Sequence, residues 1–458
     1  MSQRTEGTTC VPWFGWTQRA VLVPRKAEPC GLPEGPALPP WLQTVAFWRN
    51  VERFLRAGQR RYGSLFTVRI FPWGTVVVIS EAAAIREVFT GDPEIWRAGE
   101  SYKLLAPLIG ERSLVLLDGA EHLQVRRQML PPFHGEAVRR HERVIESIAT
   151  AEVAGWPYGE PFELTERMRA ITLEVMLQTV IGTADPQRLD VLRRALADAV
   201  QLQSRLLLMW ALPPLKRLGP WRAYNARLEH AKELLREEIV LRRADPHLAE
   251  RSDVLSVLIR AEELDEQSLL DQLTTLLMAG HDTTTTALVW ALERLVRHPR
   301  ALARAREDDA YLDAVVKETL RLRPVLPAVT RQASRPVELA GHRLPAGVTV
   351  MPCIRLAHLS PEHYSDPEVF RPERFLEGEG GGYTWIPFGG GPQRCIGATF
   401  AMTEMRIVLR TVLAEAELLA ERARSEGIRN EHVTLVPSRG GRVLRIGSPQ
   451  TGQTSRSR

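Results

Sequence analysis

Residues 385–397 read W-I-P-F-G-G-G-P-Q-R-C-I-G, from Trp385 to Gly397. Three consecutive glycines and a proline stand before Cys395, and Gly397 follows it two residues later. Neither a helix interior nor a regular strand tolerates such a run, because glycine loses the most backbone entropy and proline lacks an amide donor. It builds a tight turn whose backbone can come close to a flat or bulky object. Past Gly397 the apolar positions Ala398, Phe400, Ala401, Met405, Ile407, Val408 and Leu409 recur at the spacing of an amphipathic helix. Cys395 therefore lies at the mouth of a helix N-terminus, where the dipole and free N–H groups favour a thiolate.

A thiolate there, with glycines leaving room for a plate-like group, meets the requirement for cysteinate ligation of a haem iron. The run resembles the haem-binding loop of the cytochromes P450, F-x-x-G-x-(R/H)-x-C-x-G, with Phe388, Gly391, Cys395 and Gly397 in register. Gln393 stands where that family has Arg or His to hold a haem propionate, and Arg394 comes one place late. The bland alternative is a buried cysteine in a glycine-rich turn.

Three further stretches bear on that choice. In E-H-L-Q-V-R, His122 and Arg126 are four apart and share one helix face, where they can clamp carboxylates. The family has H-x-x-x-R at the haem propionates; a solvated face is the alternative. Asp265 to His298 reads as one long helix with L-L-M-A-G-H-D-T-T-T-T-A-L at its middle. Threonines and glycine are poor helix formers, glycine by about 1 kcal/mol against alanine, so the helix gives up stability there to make room. Ala279 and Gly280 remove bulk, Thr283 opens onto the same gap, and Asp282 supplies an acid. The segment is similar to the family's A-G-x-(D/E)-T-T, which implies an acid–alcohol pair handling oxygen; threonines bonding back to i−4 carbonyls are the alternative. His281 is about 100° off that face.

Third, Glu318 and Arg321 in K-E-T-L-R can pair on a helix, and Arg374 in F-R-P-E-R-F is half-buried between two Phe and a Pro, so it requires a carboxylate. The resemblance to the E-x-x-R and P-E-R-F motifs implies a Glu–Arg–Arg brace with a folding role. It also puts Tyr102, Leu104, Leu105 and Leu108, in the proline- and glycine-broken Ala98–Gly119, on a flexible wall over a substrate cavity. Met278, Ala279, Thr283, Leu326, Ala328 and Val329 would line that cavity too, and Arg331 would meet a propionate.

Around these motifs the chain reads as follows. Residues 1–40 are irregular and proline-broken; a helical pattern runs from Trp41 to Arg61; Leu65–Ile70 and Thr75–Ser80 form a hairpin through F-P-W-G; and Ser80 caps the next helix. Residues 136–250 are almost wholly helical, with an apolar junction at Leu206–Trp210 that the resemblance implies is a mobile lid over the substrate channel, plain helix packing being the alternative. G-E-G-G-G before the cysteine loop reads as a surface turn, Val433–Val436 and Arg442–Ile446 as a last hairpin, and residues 448–458 as a disordered tail.

The 458 residues hold no linker that would divide them, so one large domain is expected over 41–447, mainly α with small β-sheets, the cytochrome P450 fold. A formal charge of +5 is mild for this length and argues against nucleic acid. With no spanning apolar run and no signal peptide, a cytoplasmic monomer without a membrane anchor is expected. Cys10, Cys30, Cys353 and Cys395 form no C-x-x-C pair, which excludes a disulfide framework or zinc site.

The resemblance implies haem b fixed through Cys395, with O2 as co-substrate. It implies insertion of one oxygen atom into a C–H or C=C bond of a hydrophobic molecule: a fatty acid, terpenoid, steroid or polyketide-like compound. Electrons would come from a separate ferredoxin or flavodoxin with its reductase, docking near Arg394, Arg406, Arg410 and Arg127. A peroxide-driven hydroxylase, a redox-neutral isomerase and a non-catalytic haem sensor are the rival readings, and the intact Asp282-Thr283 pair argues against the first two.

Overall fold

Valines and isoleucines on both sides of F-P-W-G pair as expected: Leu65–Ile70 runs antiparallel to Gly74–Ile79, with Phe66 opposite Val78. In the computed structural model, which describes residues 31–183, 185–200, 219–431 and 433–448, this hairpin forms one edge of a five-stranded sheet. Thr349–Pro352 lies parallel to Gly74–Ile79, and Arg331–Ala333 and Trp96–Arg97 complete the order. The sheet thus joins the first fifth of the chain to the segment that follows the Glu318–Arg321 helix. Helices make up most of the remainder.

The organising element is a 30-residue helix, Glu266–Leu295, about 45 Å long at 1.5 Å per residue. Asp265 caps it by accepting from the Ser268 N–H. This central helix packs against the helices Leu164–Met176, Gly219–Arg243, Asp309–Leu322 and Ala398–Glu415, so most of its faces are buried. The main core runs from Leu108 to Val443, one continuous set of apolar contacts with the central helix through its middle. The fold is mainly α with small β-sheets, as expected.

Several local readings change. Trp41–Arg61 is two helices, Pro40–Arg49 and Val51–Tyr62, because Asn50 is extended and its side chain accepts from Arg53 N–H to start the second. Ser80 caps nothing; its hydroxyl bonds the Ser64 carbonyl and the Gln59 amide. The last two strands do not pair with each other. Thr434–Pro437 pairs with Ile428–Glu431, whereas Arg442–Gly447 sits between Glu417–Ala420 and Pro161–Glu163. Alternation alone specifies a strand's faces, not its partner.

Leu206–Trp210, residues 1–30 with Cys10 and Cys30, and the tail beyond Ser448 lie outside the described residues. Among those described, no helix is long and apolar enough to cross a membrane.

Candidate functional site

The cysteine loop is held by its own backbone. Cys395 N–H donates to the Phe388 carbonyl at 2.9 Å, Arg394 N–H donates to Gly391, and the Gly397 N–H reaches the sulfur. The following helix, Ala398–Glu415, packs on the central helix. Burial pushes the Cys395 thiol pKa up, against the Gly397 N–H and the cations Arg126 and Arg394, which pull it down. Yet the residue is accessible to solvent. A side chain surrounded by protein but accessible lines an internal hollow.

The glycines divide the work differently from the reading above. A Cβ on Gly391 would lie 1.9 Å from the Phe89 carbonyl, and one on Gly390 would lie 2.2 Å from the Phe89 ring. Those two make room for Phe89, on the helix Ala82–Thr90, and not for a ligand. Gly391 and Gly389 also need positive φ, 69° and 70°. The open glycines are Gly397, which meets nothing within 4 Å, and Gly389, whose nearest neighbour is Val329 at 4.0 Å.

The cations converge. On the helix Gly119–Met129, His122 is buried, its Nδ1 has no partner among the described residues, and its pKa is held down to about 4 by burial, then by Arg126 and Arg331. Arg331 is buried over the Phe89 ring at 5.5 Å, with its guanidinium on the Thr330 carbonyl. Neither Arg126 nor Arg331 has an ion-pair partner among the described residues. Buried cations need an anion. A macrocycle bearing two carboxylates beside a sulfur ligand supplies it, so these residues fit a haem.

Gln393 answers a different need. Its amide nitrogen donates to Asp118 Oδ1 at 3.2 Å. The same carboxylate accepts from Gly99 N–H (2.8 Å) and Glu100 N–H (3.1 Å), the first turn of the short helix Gly99–Tyr102. Tyr102, at its end, accepts from Thr330 N–H through its hydroxyl. Asp118 was missed in the sequence, where no motif marks it, and it makes no side-chain cap bond to the helix that follows it.

On the central helix Ala279 is accessible and Thr283 partly so, one turn apart, within a run whose other faces are buried. The Thr283 hydroxyl donates to the Ala279 carbonyl at 2.6 Å, the back-bond that the sequence left as the alternative. Gly280 has another purpose: a Cβ there would sit 2.9 Å from Met176 Cε, so its missing side chain serves helix packing. His281 points away, bonded to Thr172, which also meets Thr285. Asp282 pairs with Arg169 at 3.5 Å, both partly exposed. Leu104, Leu105, Met278, Leu326, Ala328, Val329 and Phe388 are partly buried, whereas Leu108 is a buried core residue and not loose wall. Met278 borders a small apolar cavity with Leu196, Leu228 and Leu235.

The brace forms in full. Arg321 makes two bonds to Glu318 (2.7 and 2.9 Å), Arg374 a third (3.2 Å), and none of the three side chains touches solvent. Glu379 of the glycine-rich run, read as a surface turn, is drawn in at 2.5 Å from Arg374. His358 accepts from Ile386 N–H at 2.8 Å and meets the Arg321 carbonyl at 3.2 Å; Trp385 donates to Lys317; Tyr364 lies under Arg321 and donates to Thr384. The brace therefore grips the start of the cysteine loop at three points. His358 and Tyr364 carry no motif signal.

Burial holds the His281 and His358 imidazoles near pKa 3, against an ordinary 6.5. The unfolded chain binds more protons there, so this stability is whole above pH 6.5 and lost as pH falls toward 3, by about 1.4 kcal/mol per unit for each ring. Glu404, buried with no partner among the described residues and pushed up to about 8, acts oppositely: its share falls as pH rises from 4.5 to 8. These two rings, with His122 acting in the same direction, outweigh the one carboxyl and leave the acid side net destabilised. Urea midpoints should drop below pH 6.5, less so in His358→Gln; a midpoint indifferent to acid would refute the assignment.

A family model described as cytochrome P450 matches residues 29–444. A putative cytochrome P450 135B1 of Mycobacterium tuberculosis (strain ATCC 25618 / H37Rv) is 48% identical over 429 residues, covering 90% of this chain and 91% of its own. A putative cytochrome P450 137 of that organism is 37% identical over 416 residues, with 87% and 86% covered. Among solved structures, the retinoic acid-bound cyanobacterial CYP120A1 superposes with TM-score 0.80 at 24% identity, over 92% of this chain and all of its own. A cytochrome P450DA heme domain gives 0.80 at 22%, over 92% and 98%.

Proposed function

From the premise that this chain belongs to the cytochrome P450 family of haem-thiolate monooxygenases, we propose that it oxidises a hydrophobic small molecule with O2 and electrons from a separate ferredoxin or flavodoxin. The observation that carries this reading is Cys395: accessible at the wall of an internal hollow, its sulfur met by Gly397 N–H, with unpaired cations beside it. Haem b would be bound by the Cys395 sulfur, with its carboxylates toward His122, Arg126 and Arg331. When bound, it supplies O2 activation, favoured by electron donation from the thiolate.

The chain's own contributions are specific. The Gly397 N–H and Arg126 stabilise charge on the sulfur. Ala279 leaves space one turn before Thr283, whose hydroxyl can rotate from the Ala279 carbonyl toward the chamber. Asp282, tied to partly exposed Arg169, collects a proton from the solvent side and passes it toward that hydroxyl. Leu104, Leu105, Met278, Leu326, Ala328 and Val329 offer apolar surface and no charge, which suits a fatty acid, terpenoid, steroid or polyketide-like substrate. On the cysteine side Arg394 and Arg127 have no carboxylate partner among the described residues, whereas Arg406 and Arg410 pair with Glu142 and Asp309. The first two are the better contacts for an acidic redox protein. We place the enzyme in the cytoplasm.

Turnover with O2, NAD(P)H and surrogate redox proteins tests the class, and an optical titration with compound libraries tests the substrate. A sensor would give no product; a peroxygenase would give it only with peroxide. Thr283→Ala should lower product per electron consumed by about a hundredfold, while electron consumption continues. Product undiminished in that variant would remove Thr283 from proton delivery.

A further inference from the structure

The first helix, Pro40–Arg49, is turned inside out. Leu38, Trp41, Leu42 and Val45 fall at i, i+3, i+4 and i+7, and they are 51%, 65%, 36% and 57% exposed. The inward face carries Gln43, fully buried, with Phe47. An ordinary surface helix does the opposite. Gln43 fixes the rotation: its amide nitrogen donates to the Leu38 carbonyl at 2.7 Å and the Pro36 carbonyl at 3.2 Å, and its oxygen accepts from Arg69 N–H at 2.8 Å.

The hairpin tip extends the same surface. Phe71, 39% exposed, donates its N–H to Thr44 Oγ1 and accepts from the Trp48 indole, both at 3.0 Å. Trp48 stacks on Trp73, whose indole donates to the Ser101 carbonyl, one residue before Tyr102. The patch is therefore rigid and tied to the wall helix. Its rim is basic: residues 31–75 contain six arginines against Glu34 and Glu52. Glu52 is taken by Arg355 and Arg56, whereas Arg49, Arg53 and Arg69 have no carboxylate partner among the described residues.

We propose that this face docks on an anionic lipid bilayer, with Trp41, Leu42, Val45 and Phe71 at the headgroup boundary and the arginines on acidic headgroups. Tryptophan and phenylalanine beside arginine on one outward face is the composition of an interfacial anchor that does not span. Anionic lipid complements unpaired arginines, whereas a twofold contact between copies would bring like-charged rims together. The inference is independent of which substrate the enzyme takes.

The test is flotation of the full-length, haem-loaded protein with phosphatidylcholine vesicles, with and without phosphatidylglycerol. Binding is expected only with phosphatidylglycerol and should weaken with salt. Trp41→Ser with Val45→Ser should reduce it by about tenfold or more, with an unchanged melting point and carbon-monoxide spectrum. Absence of binding, or equal binding by the double variant, overturns the proposal. So does self-association in sedimentation velocity that the double variant abolishes, which would make the face a contact between copies. Binding that appears only after residues 1–30 are removed by proteolysis would mean the chain covers the face itself, and also overturns it.

Discussion

Cys395→Ser should yield a folded protein whose haem, if retained, lacks the thiolate carbon-monoxide spectrum and supports no oxygen insertion. The loop does not need the sulfur for its shape. Cys395 is held through its N–H to Phe388, and the glycines around it are fixed by Phe89. Serine keeps both features and removes only the soft, polarisable donor. Circular dichroism and the melting point of the haem-free protein should match the parent, which separates loss of ligation from loss of fold. A variant that kept the thiolate spectrum would take the iron away from Cys395 and end the reading of this site.

The second large effect is on stability. Glu318→Gln leaves Arg321 and Arg374 buried without the carboxylate they share, and only Glu379 remains for Arg374. Removing one partner of a fully buried ion network costs about 3–5 kcal/mol. The pair Arg56–Glu368, exposed at the surface, provides the contrast: Arg56→Ala should cost about 1 kcal/mol or less. Urea denaturation of both variants decides it. Because His358, Trp385 and Tyr364 connect the brace to the cysteine loop, the Glu318 variant should also release haem more readily on dilution. Equal denaturation midpoints for the two variants would deny the brace its structural role.

The parts of the site that the sequence disclosed are those whose chemistry is local in the chain. A cysteine between glycines, His122 and Arg126 one turn apart, Glu318 with Arg321, and a glycine beside a threonine run each announce themselves within a few residues. What stayed hidden is where those features point. Gly280 looked like space for a ligand and is space for Met176; Gly390 and Gly391 looked like a cradle and accommodate Phe89. A missing Cβ states that something comes close, and only the tertiary fold says what. Glu379 and His358 were missed for a related reason, since their partners lie 5, 28 and 37 residues away and no periodicity links them. The final strands were identified as strands, but Thr434–Pro437 pairs with the strand just before it and Arg442–Gly447 with more distant ones.

Asp118 holds three hydrogen-bond donors at once, two from the start of Gly99–Tyr102 and one from Gln393, two residues before Cys395. It ties the wall helix to the cysteine loop through a single carboxylate. A compound that presses Tyr102 outward pulls through that carboxylate on the ligand loop, so the haem spectrum should report occupancy even for molecules that never reach the iron. Cutting the tie, as in Asp118→Asn, would leave such molecules bound and spectrally silent.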